Sequence, residues 1–425
     1  MHHRLGTLTT IASTLLLAVA TLSGSAQART AGAPHTAAGT TSTTGAHGTP
    51  TAWRPAAPRS RKAPARAPSG SGVMALDWTD LDDTPQRAAG DYLVMQPWEY
   101  ARIPALKAAN PRLRVLMYKD AAATVVEPHE TGLYPTGVGY REASAHPWWF
   151  LSDAQGHRLE WSDWRGLYPM NVANPSYQRA WGDNVLAELQ AHDWDGVSID
   201  DTLTYLSHPT VDDRVSTQIP DDAAMYRASE SFLAHVGPRL RDAGYLAVPN
   251  VTVEWDTWSS TLSDWSRYVS GWENEYFVKW GLDRETRFDD ADWEWKMRMA
   301  AWCAQRRLPL LAITYSSRSD HATMRYHRAT WLLTWNGRTG ASIFVPSEEG
   351  ASHWSPRANT RLGAPRGAAR QRAGVWRRSY TRGLVLVNPT TRARRVAVPR
   401  GYRTTRGKVI RTVRLGPRTA RLLRR

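Results

Sequence analysis

The residues best placed to do chemistry in this chain are carboxylates that follow short apolar runs. Asp200 and Asp201 come directly after Gly196-Val-Ser-Ile199, and Glu273 and Glu275 come after Tyr268-Val-Ser-Gly-Trp272. Two carboxyl groups carried on separate elements can flank one bond. If one is protonated to assist a leaving oxygen and the other stays ionised as nucleophile or base, the pair meets the requirements of glycosidic bond cleavage. Alternation along an extended chain points Glu273 and Glu275 the same way and Asn274 the other. At this level either acid of each pair can serve. Other run ends supply Lys119, Asn171, Asn250 and Tyr315, candidates to position hydroxyl groups.

Aromatic residues support the same chemistry. Nineteen of the 21 tryptophans fall between residues 77 and 354. An indole face stacks on the C–H face of a sugar ring while its N–H keeps a polar partner. Trp98, Trp255, Trp258 and Trp272 lie near run ends and are the candidate sugar platforms. Ordinary fates compete with these readings: an acid after a strand often caps the next helix, and most tryptophans pack between helices and strands.

Several function classes lack material. Cys303 is the one cysteine, which excludes an intramolecular disulfide framework, a cysteine-rich zinc site and an iron–sulfur cluster. The thirteen histidines show no paired ligand spacing, and none stands at a run end. An acyl-transfer triad and a histidine metal centre are therefore not expected, nor is any cofactor. The formal net charge of +15 is unevenly spread. Residues 355–425 hold twenty Arg, one Lys and no acid, whereas residues 77–354 hold 26 basic and 39 acidic residues. An acidic body with basic ends argues against a nucleic-acid binder.

The acids must be positioned by the elements around them. Near-continuous apolar runs read as strands of a parallel sheet covered by helices on both faces. Eight are visible: Tyr92–Met95, Leu113–Tyr118, Gly166–Met170, Gly196–Ile199, Tyr245–Val248, Tyr268–Trp272, Leu308–Ile313 and Ala341–Val345. Between them lie helical patterns, one opened by Asn174-Pro175, one by Asp221-Asp222 and one by Asp292. Eight strand–helix units over residues 77–354 predict an α/β fold, a (β/α)8 TIM barrel whose chemistry sits at the carboxyl ends of the strands. An open doubly wound sheet would show a glycine-rich loop after its first strand, where this chain has Gln96-Pro97-Trp98. Short segments split by turn residues over 372–425 predict a small C-terminal antiparallel β domain. At the other end, residues 1–28 read as a secretory signal peptide closing on Ala26-Gln27-Ala28, and residues 29–72 as a disordered linker.

Trp194-Asp-Gly-Val-Ser-Ile-Asp-Asp-Thr202, Ser270-Gly-Trp-Glu-Asn-Glu-Tyr-Phe277 and Met117-Tyr-Lys-Asp120 together resemble the glycoside hydrolases of the hypothetical family 15 type. These are similar to endo-α-1,4-polygalactosaminidases and to α-galactosidase-like TIM barrels. The resemblance spans most of residues 77–350. It implies that the strand-four aspartate is the nucleophile and a strand-six acid the general acid/base. Carried onto this chain, these are Asp200, with Asp201 as alternate, and Glu275, favoured over Glu273 by the Asn-Glu-x-Phe ending.

The resulting expectation is a secreted glycoside hydrolase that cleaves a polysaccharide by a two-carboxylate, retaining mechanism. Its substrate is a polysaccharide or oligosaccharide, it acts as a monomer, and it is extracellular or associated with the cell wall. The Arg-rich C-terminal domain could hold an anionic cell-wall polymer. Two other readings use the same residues: a non-catalytic glycan-binding barrel, and a cell-wall adhesion protein with the barrel as scaffold.

Overall fold

The computed structural model describes residues 70–77, 88–279, 287–346 and 359–425. The expected signal peptide and nearly all of the expected linker lie outside these residues. Eight parallel strands form one sheet: β1 (Met74–Leu76), β2 (Tyr92–Met95), β3 (Arg114–Asp120), then β6 (Gly196–Thr202), β7 (Leu246–Val251), β8 (Trp272–Asn274), β9 (Leu310–Ser316) and β10 (Ala341–Pro346). A parallel bridge from Val73 to Ser342 brings the last strand back to the first, so the sheet closes as a TIM barrel. Between β3 and β6 the chain makes an excursion containing β4 (Ala123–Val125) and β5 (Leu167–Pro169). The helices are α1 (Ile103–Ala109), α2 (Tyr140–Ser144), α3 (Pro175–Ala191), α4 (Asp222–Asp242), α5 (Trp258–Trp265), α6 (Asp290–Arg306) and α7 (His321–Thr334).

Two strand assignments need correction. Gly166–Met170 contributes no barrel strand: β5 pairs antiparallel with β4 in a separate two-stranded sheet. Pro169 at its end lacks the N–H that a central ladder would need. The strand that opens the barrel is β1, three residues placed between the expected linker and the expected body. Ser71 and Gly72, read as the linker's end, are buried. One strand lost and one gained leave β6 fourth and β8 sixth around the barrel.

Alternation along the strands sorts side chains into two layers. Met74, Leu76, Tyr92, Val94, Leu116, Tyr118, Val248, Leu311, Ile313 and Ile343 point inward and form one cluster that fills the barrel. Their neighbours Leu93, Met95, Val115, Met117, Val197, Ile199 and Ala247 belong to the cluster that includes the surrounding helices. Helix starts follow the sequence. Asn174 caps α3 by accepting from Ser176 and Tyr177 N–H, and Asp221 caps α4 through Ala224 N–H at 2.7 Å. The expected opening at Asp292 lies two residues inside α6.

The C-terminal residues form β11 (Pro365–Arg372), β12 (Val375–Tyr380), β13 (Gly383–Asn388), β14 (Arg394–Ala397), β15 (Thr412–Leu415) and β16 (Thr419–Arg424). A four-stranded antiparallel sheet, β11-β12-β13-β16, packs one face on α7 and the other on the β14–β15 pair. Polar ties cross this junction. The Arg378 guanidinium donates to the Leu332, Leu333 and Trp335 carbonyls at the end of α7, and Tyr380 donates to Leu332 at 2.6 Å. A cation therefore satisfies carbonyls that the helix terminus leaves unpaired.

Arg328 on α7 does the same for the barrel seam. It is fully buried and donates to Ser342 Oγ at 2.9 Å, the Ser71 carbonyl at 3.1 Å, the Thr360 carbonyl at 3.2 Å and the Gly72 carbonyl. One side chain thus joins the approach to β1, strand β10 and the start of the C-terminal domain. Arg328→Ala leaves these acceptors buried and unpaired, and is expected to lower stability by about 3–5 kcal/mol in urea unfolding. A loss below about 1 kcal/mol would show that the seam holds without it.

Candidate active site

Inward parity and strand ends together generate the site. On β3 the inward series Leu116, Tyr118 runs on to Asp120, and on β6 Ser198 is followed by Asp200. Asn250 stands on β7, Glu273 on β8 with Glu275 just beyond it, and Tyr315 on β9. Asp120 and Asp200 are directly paired across the β3–β6 ladder. Five carboxyl groups, those of Asp120, Asp200, Asp201, Glu273 and Glu275, influence one another at this mouth.

Asp200 lies at the centre. Its Oδ2 accepts from Tyr118 Oη at 2.8 Å, and its Oδ1 accepts from Asn250 Nδ2 at 2.9 Å and from Asp201 N–H at 2.9 Å. Glu275 accepts from Tyr315 Oη at 2.5 Å. Glu273 lies deeper, with Oε2 accepting from Ser198 Oγ at 2.9 Å.

Burial and mutual repulsion raise the proton affinity of this group. Burial first, and the Asp200 charge second, push Glu275 up to about 8, although the Tyr315 hydroxyl and the nearby Asn250 amide oppose the shift. Glu273 is driven well above the usual carboxylate range by burial, then by Asp200 and Glu275. Asp120 is raised well above the usual carboxylate range by burial, then by Asp201 and Asp200, and Asp201 by burial, then by Asp200. At neutral pH the site therefore contains protonated carboxyls beside Asp200, the combination that acid-assisted bond cleavage needs.

The backbone is strained beside both central acids. Asp201 follows Asp200 with φ 51°, and Tyr276 follows Glu275 with φ 52°. Side chains with a Cβ rarely hold that left-handed conformation, and such strain gathers at functional sites. At β6 it coincides with a register shift between Ile199 and Thr202. The turn sends the Asp201 side chain toward His208, whose Nε2 lies 3.1 Å from Oδ1.

Of the residues expected from sequence, Asp200, Glu275, Glu273, Asn250 and Tyr315 are brought together, with Asp201 at the edge. Three expectations are corrected. Lys119 is an outward residue of β3: its buried ammonium meets Glu188 of α3 at 2.7 Å and the Tyr134 carbonyl at 2.7 Å. Trp272 is an outward residue of β8, fully buried between strand and helix, with its indole N–H on Ser266 Oγ at 3.0 Å. Asn171 follows β5 and so ends no barrel strand; its amide reaches the Trp148 carbonyl at 3.5 Å.

Trp98, in the turn after β2, stacks on His129 with ring centroids 4.3 Å apart. Trp255, after β7, is 67% exposed, whereas Trp258 packs on the core. Glu348 and Glu349, the acids that follow the last apolar run in the sequence, lie outside the described residues. Sequence reasoning missed Tyr118, Ser198 and His208. Inward parity on β3 and β6 identifies the first two, while His208 sits in a loop with no periodic signal.

A pocket of about 260 Å³ opens beside this mouth, lined among others by Leu159, Trp161, Leu203, His208, Ile219 and Met225. Ser207 also lines it, and its hydroxyl oxygen is buried without a hydrogen-bond partner.

Several solved structures match the chain at low identity. The glycoside hydrolase domain of PelA from Pseudomonas aeruginosa is 15% identical, covering 65% of this chain and 94% of its own, with a TM-score of 0.44. Aspergillus fumigatus Ega3, solved with galactosamine, is 11% identical, covering 70% and 100%, with a TM-score of 0.44. Isomaltulose synthase from Klebsiella sp. LX3 is 10% identical over 84% and 99%, with a TM-score of 0.48. No curated protein matches the chain. The profile of hypothetical glycosyl hydrolase family 15 matches residues 107–384, from α1 to β13 and across every strand that bears the central acids, and the chain belongs to that family of glycoside hydrolases.

Proposed function

We propose that the protein is a secreted, retaining glycoside hydrolase with Asp200 as nucleophile and Glu275 as general acid/base. The observation that carries this reading is the meeting at one barrel mouth of Asp200, held by Tyr118 and Asn250, and Glu275, held by Tyr315 and pushed up to about 8 by burial and the Asp200 charge. Retention is inferred from the resemblance of the Trp194–Thr202 motif to barrels whose strand-four aspartate is the nucleophile. Retaining enzymes hold their carboxyls at about 5–5.5 Å, and inverting ones at roughly 6.5–9.5 Å to admit a water.

In the first step the Glu275 carboxyl gives its proton to the departing glycosidic oxygen while an Asp200 oxygen attacks the anomeric carbon. The C–O bond to the leaving sugar breaks as the glycosyl–aspartate bond forms. Glu275, now ionised, takes a proton from water. That water attacks the anomeric carbon and releases Asp200. Tyr118 and Asn250 hold Asp200 in line, and Tyr315 fixes Glu275 for both proton transfers.

The crowd of carboxyls disfavours anionic sugars at the mouth and suits neutral or cationic ones. Amino-sugar polymers are therefore among the first substrates to assay. The apolar pocket beside Asp201 and His208 would take one further sugar-sized group of the chain being cut. The N-terminal segment supplies export, and the C-terminal domain is read as the part that holds the enzyme to an acidic wall polymer.

Asp200→Asn should lower kcat by roughly 10³-fold or more with the fold retained by circular dichroism. Asp200→Ala should regain turnover with added azide, yielding a glycosyl azide. NMR of the first-formed anomer should show retention of configuration, and inversion would sink the mechanism. Glu275 must be protonated to act, so kcat/KM should fall as pH rises through about 8. Glu275→Gln should remove that limb and lower turnover by roughly 10²–10⁴-fold, least for substrates with good leaving groups.

A further inference from the structure

The pocket beside the mouth is chemically unlike the mouth. Leu159, Trp161, Leu203, Ile219 and Met225 line it and are buried. Leu206 and Val215 also line it, yet are 41% and 63% exposed, so they form an apolar rim. Exposed aliphatic side chains gathered at an apolar opening mark a binding surface. Several polar liners are already bonded within the protein. Thr210 Oγ1 donates to the Arg214 carbonyl, the Arg214 guanidinium meets Asp212 at 3.0 Å, and Ser216 Oγ donates to Gln218 at 3.1 Å. Ser207 differs, because its buried hydroxyl has no hydrogen-bond partner. Such a group bears its desolvation cost unrelieved until a partner arrives from outside. Two contacts join the pocket to the reacting carboxyls. His208 reaches Asp201 at 3.1 Å, and Ala122, another liner, donates its N–H to Asp120 Oδ1 at 2.8 Å.

We infer that this pocket is the subsite for the N-acetyl group of an amino-sugar residue in the substrate. The amide carbonyl of that group accepts from Ser207 Oγ, and its methyl lies on the aliphatic wall. The ring stays at the opening, where His208 and the carboxyls supply polar partners. The inference rests on the glycoside hydrolase reading for the choice of a sugar, and the acetyl group follows from the walls. A bare hexose carries hydroxyls around its ring, and these walls would remove their water without replacing the bonds. The ammonium of an unacetylated amino sugar would lose still more there. An acetamido group presents one methyl and one strong acceptor, which an apolar wall with a single waiting donor satisfies. Ser207 and the rim residues Leu206 and Val215 are thus specificity-determining residues, and Asp200 and Glu275 keep the chemistry.

The experiment reads binding without turnover. Saturation-transfer NMR on the full chain is run with N-acetylgalactosamine and N-acetylglucosamine, each beside its free amine. At least one acetylated sugar should bind with a Kd on the order of millimolar, about tenfold tighter than its amine, with the strongest transfer at the acetyl methyl. Ser207→Ala should weaken that binding by about threefold to tenfold and leave Tm unchanged or raised, because the unpaired hydroxyl is gone. Val215→Asp, at an exposed position, should shrink the preference over the amine at least about threefold. A parent that prefers the amines, transfer weakest at the methyl, parent-like affinity in Ser207→Ala, or no binding of either acetylated sugar would overturn the inference. Acetyl-selective binding without turnover of any glycan would sink the hydrolase reading alone, and turnover with no acetyl preference would sink this inference alone.

Discussion

Everything at the mouth of this barrel answers to one constraint: five carboxyl groups share a small volume from which water is largely excluded. They cannot all ionise there, because each charge raises the free energy of the next. Hydrogen-bond donors are shared unequally among them. Asp200 receives three donors from three separate chain positions, whereas Glu273 receives one, from Ser198. The asymmetry divides acids of the same chemistry into different roles. The arrangement disfavours folding, and the continuous apolar core around the barrel offsets that cost.

The second organising fact is the two-residue period of a strand. It places Tyr118 and Asp120 inside β3 and throws Lys119 outward onto α3. It sends Glu273 inward and both Trp272 and Asn274 outward, where the Asn274 side chain accepts from Lys296 on α6 at 2.8 Å. The protein thus uses alternate residues of one short segment for chemistry and for packing. A substitution one position off changes the layer it acts on.

Much of this was legible before any coordinates. Apolar runs marked seven of the eight barrel strands, and the acids after Ile199 and Trp272 marked the ends that matter. What was illegible has physical reasons. Met74–Leu76 is too short to show a period, and it adjoins a stretch poor in large apolar residues. Gly166–Met170 is apolar enough to read as a strand, but its partner is a three-residue strand of the same excursion. Lys119 and Trp272 were misplaced because nearness to a strand end was weighed without parity. His208 had no pattern to reveal it, since loop geometry depends on contacts that only folding supplies.

Arg328 and Arg378 give the molecule an architectural indivisibility. The first ties the approach to β1 to residues more than 250 positions later, and the second closes the carbonyl end of α7 from within the C-terminal sheet. A cut between the two parts would strip a helix of its cap and open the barrel where its first and last strands meet. The arginine-bearing sheet is thus a wall of the enzyme as well as its outward-facing surface. Exchange of this sheet among related barrels would require α7 and the first strand to travel with it.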